Sequence, residues 1–133
     1  YNCVLRGDVN IIRIGRDTNI QDGTVIHVAT RGNGTHIGDR VTVGHMALLH
    51  DCVLEDDSFV GMGAIVMDGA RVESGGMLAA GGMLTPGKVV PMGELWSGRP
   101  ARFMRKKNDE DNALTTWSWK HYVTLAKQQT KNL

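Results

Sequence analysis

Asn19-Ile20-Gln21-Asp22-Gly23-Thr24-Val25-Ile26-His27, a short loop, then Ile37-Gly38-Asp39-Arg40-Val41-Thr42-Val43-Gly44-His45-Met46-Ala47-Leu48-Leu49-His50-Asp51-Cys52: this stretch decides the fold. Large aliphatics recur in it every six positions, often followed by a small residue. Ile14 leads into the beat, and Leu54, Val60, Val66, Val72, Leu78, Leu84, Val90 and Trp96 carry it on unbroken. Six fits neither the 3.6 period of a helix nor the two-residue alternation of a half-buried strand. It is the period of a parallel β-helix. Each hexad supplies a short strand and a corner, and three hexads make a triangular coil of about 18 residues. The aliphatic points into the prism, and Gly makes the corner cheap.

Counted from Leu5, the faces run Leu5, Ile14, Ile20, then Ile26, Ile37, Val43, then Leu49, Leu54, Val60. Arg6 to Arg13 holds three extra residues, Val28 to His36 holds five extra, and Leu49 to Val53 is one short. Insertions at solenoid corners become surface loops.

The register places three of the five histidines. His27 follows Ile26 and His50 follows Leu49, so both hold the second position of face one. They lie 23 residues apart, one coil plus the five-residue loop. The spacing predicts that they stack at about the 4.8 Å strand separation. Arg6 falls in the same column one coil earlier. His45 belongs to face three, stacked over Asp22 and with Gln21 beside it, so one prism cannot easily bring it to the His27–His50 column. A second copy can, because a heterologous contact that closes as a ring offers face three of one chain to face one of the next. Three imidazoles with an open fourth position make a catalytic-zinc ligand set; iron or cobalt suits the same donors.

Leu5-Arg6-Gly7-Asp8-Val9-Asn10, Thr18-Asn19-Ile20-Gln21-Asp22, Ile26-His27, Val43-Gly44-His45, Leu49-His50 and Trp96-Ser97-Gly98-Arg99-Pro100-Ala101 together resemble the γ-class carbonic anhydrase family. The resemblance spans nearly the whole chain. It implies a left-handed β-helix followed by a C-terminal α-helix, assembled as a homotrimer with metal at each interface. Two histidines then come from one chain and the third from its neighbour, and the reaction is reversible hydration of carbon dioxide to bicarbonate. It also implies further coils upstream of Tyr1, which starts mid-repeat. The chain departs from the family's archaeal pattern, which has acids for proton export in two loops. Here one loop reads Val9-Asn10, and the other has no Asp or Glu between Val28 and His36. Slow hydration is the expectation. Two alternatives stand beside it: a zinc-binding trimer that acts on another small molecule or serves as an assembly subunit, and, less favoured, an acyltransferase working through a single histidine without metal.

Around the histidines, Arg6 holding Asp8 is read as more than a surface ion pair because Arg6 lies under their column. Gln21 and Asp22 are read as orienting a ligand or a bound water. Tyr122 matches a tyrosine that the family brings near its metal. The candidate catalytic set is therefore Arg6, Asp8, Gln21, Asp22 and Tyr122, with His27, His45 and His50 as metal ligands. His36 is read as capping its loop, with a proton-relay role open.

With 133 residues the chain is one domain. Residues 1–101 form the β-helix, and residues 108–131 a helix that packs on it. A net charge of +1 without a long basic run argues against nucleic acid or an acidic membrane surface; Arg102, Arg105, Lys106 and Lys107 read as a solvated junction. No stretch reaches membrane-spanning length. Cys3 and Cys52 fall on different faces, so they are read as unbridged small hydrophobes of a reducing cytoplasm. Met62, Met67, Met77, Met83 and Met92 are read as fillers of a core or an interface. Asp56, Asp57, Asp68 and Glu73 are read as solvated corners. Asn108 or Asp109 caps the helix, and Leu114, Trp117, His121 or Tyr122, and Leu125 form an apolar stripe to be buried on this prism or a neighbour's.

Overall fold

The hexad beat is realised as three flat sheets wound around one apolar axis in a computed structural model that describes all 133 residues. The first sheet stacks β1 (Val4–Leu5), β4 (Val25–His27), β7 (Leu48–His50), β10 (Ile65–Val66) and β13 (Met83–Leu84). The second stacks β2 (Ile12–Ile14), β5 (Thr35–Ile37), β8 (Val53–Leu54), β11 (Arg71–Val72) and β14 (Val89–Val90). The third stacks β3 (Asn19–Ile20), β6 (Thr42–Val43), β9 (Phe59–Val60), β12 (Met77–Leu78) and β15 (Glu94–Ser97), and ends on β16 (Arg102–Lys106). Every ladder is parallel except β15–β16.

The expected register is the observed one. Ile26 pairs with Leu49, Ile37 with Leu54 and Val43 with Val60. Their side chains fill the prism without solvent contact, together with Val66, Val72, Leu78, Leu84 and Val90. What faces outward differs between sheets. The first sheet turns out Val25, Leu48, Ile65 and Met83, the second Arg13, His36 and Arg71, the third Asn19, Thr42 and Phe59. So the second sheet is a solvent face, and the first is an apolar one with nothing from the chain covering it. Met77 is buried, as a filler should be, whereas Met46 and Met62 stand exposed at the corner between the third and first sheets.

Two features of the C-terminal end go beyond the sequence. The basic cluster is largely solvated, as expected, and it is also ordered: Arg102 to Lys106 is a strand pairing antiparallel with β15. Helix α1 (Asp109–Thr130) starts where expected, because the Asn108 side chain accepts from the Asp111 N–H and the Asp111 carboxylate accepts from the Asn108 N–H. That reciprocal pair satisfies two orphan donors. But the helix does not bury its apolar stripe on this prism. It lies against β3 and β6 through Thr115 and Ser118, leaving Leu114 44% and Trp117 57% exposed. The reason is where α1 is pinned. Arg105 on β16 grips Asp111 with two hydrogen bonds of 2.5 and 3.1 Å, and that rotation turns positions 115, 118 and 122 inward. No helix is long and apolar enough to cross a membrane.

Two predictions follow from this packing. A Cβ on Gly61 would sit 2.3 Å from the Ala80 nitrogen in the next coil, whereas Gly63, at φ +66°, has open space around it. Gly63→Ala should therefore cost only the left-handed backbone term, about 1–2 kcal/mol. Gly61→Ala should cost ~3 kcal/mol or more, because backbone rather than a side chain must yield. Urea unfolding of both variants measures the difference, and equal losses would mean that the coil spacing adapts to a side chain.

The Asp111 carboxyl is held below the ordinary carboxylate range, chiefly by Arg105 and also by the Asn108 N–H. A carboxyl with a lowered folded-state pKa contributes stability that is present above about pH 4 and lost as pH falls through the folded value. Asp111→Asn should lower stability at pH 7 and make the loss between about pH 4 and pH 2 shallower than in the parent. A parallel loss in both proteins would remove this pair as an anchor of α1.

Candidate metal centre

His27 and His50 are directly paired across β4 and β7. Parallel pairing with the same face exposed leaves both imidazoles projecting outward from the prism at one corner. Their rings lie 5.1 Å apart by centroid, and His27 Nδ1 is 3.2 Å from His50 Nε2. Each ring has a carboxylate on its far side: His27 Nε2 is 2.8 Å from Asp8 Oδ1, and His50 Nδ1 is 2.5 Å from Asp68 Oδ1. Arg6 donates to the other oxygen of Asp8. The Asp8 carboxyl is accordingly held below its usual range, first by His27 and then by Arg6.

The proton count in this row is informative. An ionised carboxylate can only accept, so the N–H of His27 must be on Nε2 and that of His50 on Nδ1. The two nitrogens that remain, when both rings are neutral, are lone pairs facing each other 3.2 Å apart. Such a contact needs a proton or a cation between its members. Two nitrogens bound 2.0–2.1 Å from a tetrahedral zinc lie about 3.3 Å apart. The donor set therefore fits a metal, and carboxylates on the outer ring nitrogens are the usual means of fixing tautomer and orientation in metal-binding histidines.

His45 is elsewhere. It sits at the corner after β6, with Nδ1 3.4 Å from Asp22 Oδ2. Gln21, Asp22 and Tyr122 line one groove of about 690 Å³ between α1 and β3 with its flanking corners. Thus Arg6, Asp8, His27 and His50 come together in one cluster, and Gln21, Asp22, His45 and Tyr122 in a second. Within the single chain no three His, Cys, Asp or Glu side chains are arranged to hold a metal ion.

Asp68 is the exposed corner residue expected, and it is also the partner of His50. The signal was present in the register, since Met67 lies over His50 and Asp68 is one residue farther on. His36, on β5, accepts the role expected at its loop: Nε2 is 2.7 Å from the Asn33 carbonyl. The Val28–His36 loop is itself tied down from both sides. The Asn10 amide donates to the Ala29 and Gly32 carbonyls, and the buried Asp51 carboxylate accepts from Ala29 and Gly34. The two cysteines are free, and burial pushes the Cys52 thiol up to about 12, which suits packing and not metal ligation.

No family model matches the chain. Curated relatives do. It is 52% identical over 131 residues to gamma carbonic anhydrase 2, mitochondrial, of Arabidopsis thaliana, covering 95% of this chain and 47% of that protein. It is 49% identical over 126 residues to a probable carbonic anhydrase of Methanocaldococcus jannaschii, covering 95% of this chain and 79% of that one. Among solved structures, a hexapeptide transferase family protein from Anaplasma phagocytophilum superposes with a TM-score of 0.91 at 51% identity, over 96% of this chain and 75% of that chain. The chain spans about half the length of the Arabidopsis relatives it matches. Close identity over nearly all of this chain, joined to the hexapeptide-repeat coil, places it in the γ-carbonic anhydrase family of left-handed β-helix proteins.

Proposed function

We propose that this chain forms a homotrimer that catalyses the reversible hydration of carbon dioxide to bicarbonate at zinc sites shared between adjacent chains. The observation that carries the reading is the Asp8–His27–His50–Asp68 row, whose inner lone pairs call for a cation. His27 and His50 would be two ligands and His45 of the adjacent copy the third. The uncovered apolar face of the first sheet borders the histidine pair, and exposed Met46 and Met62 flank His45. Seating that corner of one copy on that face of the next buries both apolar surfaces and brings the third imidazole to the pair. Such a contact repeats around a closed ring.

Bound there, zinc would supply the Lewis acidity that lets water act as a nucleophile near neutral pH. The protein's own side chains do the rest. Asp8 and Asp68 hold the N–H groups of His27 and His50 outward, so the lone pairs point at the ion. Asp22, 3.4 Å from His45 Nδ1, puts a carboxylate beside that ring too. Arg6, braced by Asp8, places a cation beside the row to receive the bicarbonate anion. Gln21 and Tyr122 bring polar groups to the neighbour's half of the site. Proton export is the weak step, because Asn10 and Asp51 spend their polar atoms on holding the Val28–His36 loop and no acid projects from it. Two free cysteines suit a reducing compartment such as the cytoplasm.

The acyltransferase reading, suggested by the name of the Anaplasma relative, has less to recommend it. One histidine would suffice for it, and two carboxylate-braced imidazoles would be left without a purpose.

The shared site predicts complementation. His45→Ala protein reassembled with an excess of His27→Ala protein should bind zinc and hydrate carbon dioxide in stopped-flow assays, though neither variant does so alone. Mixed trimers that bind no more zinc than their parents would refute the split ligand set. Zinc-loaded parent without hydration, at any buffer concentration, would leave only a metal-binding trimer.

Asp68→Asn should weaken zinc affinity about 10–100-fold, as loss of a partner behind a ligand commonly does. Asp57→Asn, on another corner, should leave it unchanged. Competition with a chelating dye measures both, and equal affinities for Asp68→Asn and the parent would remove Asp68 from the centre.

A further inference from the structure

The face that α1 buries is polar, and its one direct link to the coils leads to the candidate site. Thr115 satisfies itself on the Asp111 carbonyl. Ser118 does not. Apart from Asp111 with Arg105, it makes the one side-chain hydrogen bond between α1 and the strands, to Thr42 at 3.1 Å. Thr42 Oγ1 also receives the Asn19 amide N–H at 3.0 Å, and Asn19 Oδ1 receives the Gln21 amide N–H at 3.0 Å.

The direction of this row is set by one atom that can only accept. Asn19 Nδ2 also reaches the Val41 carbonyl, at 3.4 Å, so the amino side of Asn19 must face β6 and its oxygen must face Gln21. Gln21 must then present its nitrogen to Asn19. With its oxygen accepting from the Asn19 amide, the Thr42 hydroxyl has its own proton left for Ser118. Three bonds therefore run in one sense through four side chains, Gln21 to Asn19 to Thr42 to Ser118, an arrangement in which each bond polarises the next. Gln21 Oε1 has no partner within the chain and is not sealed from solvent, and Gln21 lines the groove with Asp22 and Tyr122.

We infer that Thr42 and Ser118 are positioning residues. Through Asn19 they hold the Gln21 amide so that the candidate site meets a hydrogen-bond acceptor, and they link the docking of α1 to how firmly that orientation is held. The inference takes Gln21 as part of the site from the reading above, but the relay is testable without activity.

Thr42→Val and Ser118→Ala each remove one hydroxyl with little change of shape. Side-chain amide NMR of Gln21 should show its N–H protons exchanging about 10-fold faster in Thr42→Val, by a smaller factor in Ser118→Ala, and at the parental rate in Thr42→Ser. Zinc content should be unchanged in all three. Where carbon dioxide hydration is measurable, kcat should fall about 2- to 12-fold at constant KM, the value of one net hydrogen bond of about 0.5–1.5 kcal/mol. A Gln21 amide unchanged in Thr42→Val, with Trp119 fluorescence showing α1 still docked, overturns the relay. If Thr42→Val does not fold, the same null in Ser118→Ala overturns it. A protein that never hydrates carbon dioxide but whose Gln21 amide responds as expected keeps the relay and loses the hydratase reading.

Discussion

Everything in this molecule hangs on the vertical hydrogen-bond ladder between coils. Each strand from β1 to β14 is two or three residues long and has no stability of its own; it exists because the N–H groups of one coil donate to the carbonyls of the next, as Gly44 does to Val60 and Gly61 to Leu78, both at 2.8 Å. That ladder fixes the distance between any residue and its counterpart one coil away. It converts a sequence offset into a spatial contact. A residue count therefore becomes a geometry, and His27 over His50 is its most consequential product.

Stacking alone would give two imidazoles competing for one proton. The site is made useful by what flanks the pair. Asp8 and Asp68 come from the coils below and above, reached by short corners, and each takes up one ring N–H. The carboxylates thus orient both lone pairs into the same gap. Arg6 balances one of those charges. Exposed ion pairs contribute little to stability, so the arrangement is better understood as orientation than as a fastening of the fold.

Helix α1 obeys a different constraint. An amphipathic helix ordinarily docks by its apolar stripe, yet here Leu114 and Trp117 stay out while Thr115 and Ser118 go in. The bidentate Arg105–Asp111 pair sets the rotation, and Ser118 accepts the hydroxyl proton of Thr42 on the third sheet. The cost of burying two hydroxyls is offset because each is hydrogen-bonded. The exposed stripe is left available to a neighbouring surface.

The sequence by itself determined the prism, the three faces, the vertical pairing of His27 with His50, the separation of His45 from them and the start of α1. Those features depend on a period or on a local cap, and a period survives as long as each coil repeats the last. Tertiary structure decided the rest. Whether the solvated Asp68 also reaches His50 turns on a corner side chain's rotamer, which no hexad count specifies. Which side of α1 meets this prism depended on the Arg105–Asp111 pair, and hydrophobic periodicity could not say whether the apolar stripe faces this prism or a neighbour's. Asn19 and Thr42 carried no chemical signal in the sequence, since an amide and a hydroxyl on a sheet surface are common. Their meaning came only from Ser118, 76 residues beyond Thr42, arriving within 3.1 Å. Local repetition can be read from the order of residues, but contacts that close across the chain are set by packing.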